Sequence, residues 1–136
     1  VEPSASVEPS YVIAPDGTLF VDGLSPLIGL RGSQCWERNC DDTPWLIPEV
    51  AATVPPRAAC SVAFADSTAI VRWSVIASPT DSPDPLGAAV ILTRRDAGPP
   101  VSDVAFEGPE SGDWVVMASL VAEPGDAAYF WRLSVS

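Results

Sequence analysis

Asp113-Trp114-Val115-Val116-Met117-Ala118-Ser119-Leu120-Val121, then Glu123-Pro124-Gly125-Asp126, then Ala127-Ala128-Tyr129-Phe130-Trp131-Arg132-Leu133-Ser134-Val135: this run decides the fold. Its first part is apolar on both faces, as suits a strand with neighbours on either side. The proline-glycine pair turns the chain. The second part alternates with a period of two: Tyr129, Trp131, Leu133 and Val135 fall on one face, Arg132 and Ser134 on the other. A hairpin is the expected unit.

The same punctuation recurs upstream. Between Thr68 and Ala77, Val71, Trp73, Val75 and Ala77 share a face opposite Arg72 and Ser74. Shorter strands are expected at Tyr11–Ile13, Thr18–Val21, Cys60–Phe64, Ala88–Thr93 and Val101–Phe106. The first two are expected to pair across Pro15-Asp16-Gly17. Residues 43–59 are too rich in proline for a long helix, leaving a helical turn or an extended link through Glu49–Ala52. About eight short strands and no long helix mean an all-β sandwich or barrel.

At 136 residues, with 47 % hydrophobic and 18 % charged, the chain is one globular domain with enough core to fold without disulfides. Residues 1–10 carry Val-Glu-Pro-Ser twice and read as a Pro/Ser/Glu tether, with the domain over residues 11–136. A net charge of −11, with every base an arginine, opposes nucleic acid and anionic membrane surfaces as partners. No apolar run of 18 or more residues crosses a membrane. The absence of histidine rules out a serine-histidine-aspartate triad or a cysteine-histidine pair within this chain.

Gly32-Ser33-Gln34-Cys35-Trp36, followed by Cys40-Asp41, resembles a motif of small secreted bacterial domains and lipoproteins built on an immunoglobulin-like sandwich. Pro55-Pro56-Arg57-Ala58-Ala59 before an alternating strand, and Gly112-Asp113-Trp114 ahead of the Gly125–Leu133 block, extend the likeness over residues 20–135. Glutamine at position 34 replaces the tyrosine frequent in that family, and Cys60 has no counterpart there. The resemblance implies an immunoglobulin-like antiparallel β-sandwich outside the cytoplasm, secreted or lipid-anchored; the Pro/Ser/Glu tract is itself expected to follow a cleaved signal sequence. It implies no activity.

Three cysteines allow one disulfide and one thiol left over. Loop closure is worth about 2 kcal/mol for Cys35–Cys40 and about 3 kcal/mol for either one joined to Cys60, a gap that strain can outweigh. Energetics alone leaves the pairing open; the resemblance implies Cys35–Cys40. Three cysteines without histidine make an incomplete zinc shell, and Asp41-Asp42, Asp81/Asp84 and Glu107/Glu110 lack the oxygen ladder of a calcium loop. No metal or cofactor is expected.

Trp73 and Trp131 belong to alternating strands and read as core, Trp114 as core or rim. Trp36 and Trp45 stand among polar and proline residues. A tryptophan there either folds back over the end of the sandwich or anchors a partner. The sequence therefore points to a non-enzymatic binding or structural domain that presents a stapled loop to a protein or glycan. Trp36, Trp45, Glu37, Arg38 and Asp42 are the candidate contact residues. A proteinase inhibitor offering Ser78–Pro85 or the cysteine loop is the alternative, and an enzyme working through carboxylates alone is a third.

Overall fold

The computed structural model describes residues 12–136. It is an all-β sandwich with eleven strands among the described residues: β1 (Gly17–Val21), β2 (Leu27–Ile28), β3 (Leu30–Trp36), β4 (Asn39–Asp41), β5 (Ala51–Val54), β6 (Ala59–Phe64), β7 (Arg72–Pro79), β8 (Val90–Arg95), β9 (Val104–Glu107), β10 (Gly112–Ala122) and β11 (Gly125–Val135). One sheet has the order β9-β6-β1-β2. The other runs β4-β3-β11-β10-β7-β8, with β5 also on β11. Pairing is antiparallel except for β5, which lies parallel to β11.

The terminal hairpin forms as expected, Ala122 opposite Gly125 and Gly112 opposite Val135. Strand β10 is flanked by β7 and β11; its inward Val116, Ala118 and Leu120 are buried, while Met117, Ser119 and Val121 on the outer face are half-buried. Inward residues of β11, Tyr129, Trp131, Leu133 and Val135, meet Val75 and Ala77 of β7 and Leu19, Val62 and Phe64 of the facing sheet. Trp73 and Trp114 are half-buried at the margin of this core.

Several expectations need correction. Ile13 is not in a strand, Tyr11 lies outside the described residues, and β1 pairs instead with β2 and β6. Of Glu49–Ala52, expected as a helical turn or an extended link, Ala51 and Ala52 are extended and open β5. Val101 makes only a single bridge to Ile70, and the strand starts at Val104. Proline-poor windows of four residues carry too little periodicity to announce a strand. Pairing supplies the missing drive, with β11 for Ala51–Val54 and with β6 for Val104–Glu107.

Gly29 marks the corner where the chain crosses between sheets. Its amide donates to the Gly17 carbonyl (2.8 Å), and a Cβ at this position would fall 2.7 Å from the Trp131 ring. Only glycine lets the backbone lie on that indole.

Two buried acids respond to alkali. The Cys60 thiol donates to the Ala58 carbonyl (3.4 Å), and burial pushes its pKa from 9.0 up to about 11. The Tyr129 hydroxyl donates to the Pro15 carbonyl, and burial raises it from 10.0 to about 12, against the lowering influence of Arg31. Both protons are held more tightly in the fold than in the unfolded chain. Their stabilising contribution is therefore complete below pH 9 and drains away as pH climbs from 9 through 12. By linkage each group forfeits about 2–3 kcal/mol across that interval. Urea titrations at increasing pH should show the loss, with Cys60→Ala removing its earlier part. Stability unchanged to pH 12 would contradict the assignment.

Candidate functional site

Cys35 and Cys40 form a disulfide, Cα–Cα 4.0 Å, and they stand directly opposite one another in β3 and β4. That separation marks the closely approached, non-hydrogen-bonded class of antiparallel pair. The cysteine segment is thus a β-hairpin whose connection is only Glu37-Arg38. Their φ values of 47° and 74° are both left-handed, as a type I′ turn requires. With neither residue a glycine, this costs on the order of 1 kcal/mol each, which the staple helps to hold. Reduction should lower stability by about 2 kcal/mol, or roughly 6–10 °C in Tm, read from melting with and without reductant. An unchanged Tm would mean that the hairpin does not depend on the bond.

Trp36 corrects the expectation of a solvent-facing anchor. It is 5 % exposed, with its ring 5.3 Å from that of Phe64. Read as loop, the segment hides its alternation; folded as a strand, it points Gln34 and Trp36 inward. A register shift between Ala127 and Tyr129 allows this while leaving Leu30 exposed opposite Phe130. Buried Gln34 is satisfied on both sides: its Oε1 accepts from the Ala14 amide (2.8 Å) and its Nε2 donates to Asp41 (3.3 Å). Glu37, Arg38 and Asp42 are exposed, so the hairpin tip offers charge and no aromatic ring. Trp45 is half-buried, edge-on to Phe130 at 5.1 Å, and does not join the tip residues.

The concave apolar surface lies elsewhere. Strand β3 leaves the edge of β11 at the Leu30–Phe130 pair, and β5 takes over at Ala51–Arg132. Where the edge changes partners there is a groove of about 810 Å³, floored by residues 130–132 and walled by residues 27–30 and 47–52. Its apolar side chains are unusually open: Val50 is 83 % exposed and Ile28 61 %, with Leu30 and Ile47 about half exposed. Polar groups are few. Arg132 donates to Asp113 (2.9 Å), an interaction that holds the Asp113 carboxyl below its usual range, and Glu49 is the one carboxylate in the lining.

No protein family, curated protein or solved structure matches this chain. Its chemistry has to be read from the residues. Among the described residues no three of His, Cys, Asp and Glu come together as a metal-holding group. Sequence reasoning missed Ile28, Leu30, Ile47 and Val50. For Ile47 the available signal was the apolar run Trp45-Leu46-Ile47 between Pro44 and Pro48, more than so short a stretch can bury; nothing local marked Ile28, Leu30 or Val50.

Proposed function

We propose that this chain is a non-enzymatic extracytoplasmic binding module on an immunoglobulin-like sandwich, related to the secreted bacterial domains and lipoproteins whose cysteine motif it resembles. Its groove takes an extended apolar segment of a partner protein. Strand order supports the immunoglobulin-like assignment: β6 and β9 neighbour one another as strands B and E do, and β7, β10 and β11 follow the C, F, G order with β8 beyond C. Strand β10 has no cysteine, so the inter-sheet bond of antibody domains is replaced by a staple within one hairpin. That disulfide is compatible with an oxidising compartment, and no helix among the described residues is long and apolar enough to cross a membrane.

The observation that carries the reading is the row of open aliphatic side chains along both walls of a sheet-edge groove. Such a patch is what a monomer avoids unless it is used. A chain of net charge −11, with Glu49 having no ion-pair partner among the described residues and Arg132 paired to Asp113, selects an apolar segment flanked by bases.

An array of ten-residue peptides graded in apolar content and charge tests this. Apolar peptides with basic ends should bind. Val50→Asp or Ile28→Asp should abolish that binding, whereas Glu37→Asn with Arg38→Gly, which keeps the turn geometry, should not. Loss through the turn variant alone would return the site to the hairpin tip, and the absence of any bound class would overturn the reading.

A second reading draws on the segment between β7 and β8. Ser78 Oγ donates to the Pro85 carbonyl (2.8 Å) and the Gly87 amide to Asp84 (3.2 Å), a self-braced loop displaying Leu86 at 68 % exposure. Braced convex loops suit a proteinase inhibitor. A protease inhibition screen with Leu86→Ala as the control decides it.

A further inference from the structure

Away from the groove, on the outer face of the same sheet, three neighbouring strands place Arg94, Ser74 and Ser119 in one row, with Ser74 in register with both others. Arg72 lies two residues before Ser74 and so shares its face. These side chains line a concavity of about 360 Å³ together with Trp73 and Asp96. Arg94 is 3.3 Å from Asp96, whereas Arg72, Ser74 and Ser119 have no side-chain partner among the described residues. The Arg72, Arg94 and Asp96 charges sum to +1, inside a chain of net charge −11.

We propose that this pocket binds a carboxylated sugar, a uronic acid residue within an acidic glycan. Arg72 supplies a planar fork matched to one carboxylate. The Ser74 and Ser119 hydroxyls both donate and accept, as ring hydroxyls require. Asp96 accepts from a sugar hydroxyl while repelling charge concentrated on one small group, so a phosphate or sulfate fits less well than a sugar residue carrying a single carboxylate. Val121, half-buried and directly opposite Arg72, gives the wall an apolar flank. Asp126 lies two strands from Arg72, beyond Val121, at the outer limit of the site.

Trigalacturonate titrated into the ¹⁵N-labelled chain is the probe, compared with its neutral methyl ester and with inorganic sulfate. Shifts should centre on residues 72–74, 94 and 119. Both the methyl ester and the Arg72→Gln chain should bind about tenfold more weakly, as expected for the loss of one charge-assisted contact. Ser119→Ala should weaken trigalacturonate and leave sulfate unchanged. Equal binding of sulfate would reduce the pocket to a generic anion patch, and equal binding of the ester would remove the carboxylate's role. Shifts elsewhere, or none at about 10 mM, an affinity too weak to matter, would also overturn the proposal. The peptide array reads a different surface, so either proposal can fail alone.

Discussion

Trp36→Ala should lower the unfolding free energy by about 3–5 kcal/mol, the usual loss for truncating a buried tryptophan to alanine. For a domain of this size that amounts to roughly 10 °C or more in Tm. The indole is 5 % exposed and packs against Phe64, whose own ring stands 6.1 Å from Tyr129. Truncation therefore opens a void along a line of aromatic contacts joining β3, β6 and β11. Trp36→Phe, which retains most of the volume, should recover the greater part. Urea unfolding monitored by circular dichroism reads both. An unchanged midpoint in Trp36→Ala, with peptide or glycan binding lost, would make the residue a contact after all and contradict the packing described above.

The second large effect is expected at Gly125. A Cβ there would lie 2.0 Å from the Cys35 carbonyl oxygen and 2.9 Å from the Trp36 Cα, both backbone atoms that no rotamer change can move. Gly125→Ala must push β3 away from β11, and it should cost about 3 kcal/mol or more. The damage should concentrate locally. The Glu37 amide, which donates to the Pro124 carbonyl at 2.9 Å, should lose hydrogen-exchange protection, while the β6–β9 pairing keeps its own. Protection unchanged at Glu37, or a loss spread evenly over both sheets, would show that the two hairpins are not locked at this point.

Both substitutions act where the hairpin β3–β4 meets the turn of the hairpin β10–β11. Gly125 pairs with Trp36, and Asp126 with Cys35. The disulfide, the left-handed turn and the buried indole form one rigid corner. The opposite end of β3 is the open one, and there the groove begins. Under the proposed function, a stiff edge beside an apolar recess would give a bound segment a preformed wall and lower the ordering cost of association.

Much of this was present in the chain from the start. The period-two pattern of β7 and β11, the two-sided apolarity of β10 and the proline spacing dictate strands and a two-layer core. They do so because a strand's facing depends only on the parity of its residues. Composition alone excluded the histidine-based chemistries. What waited for the tertiary structure was everything decided by pairing. Residues 51–54 become a strand only because β11 offers them an edge. A register shift in β3 turns Trp36 inward while Leu30 remains outside, and nothing in the local residues Arg31-Gly32-Ser33 announces it. The groove, and the row Arg94-Ser74-Ser119, likewise exist only once strands distant in sequence lie side by side, since a surface shared by several strands is a property of their order and not of any one segment.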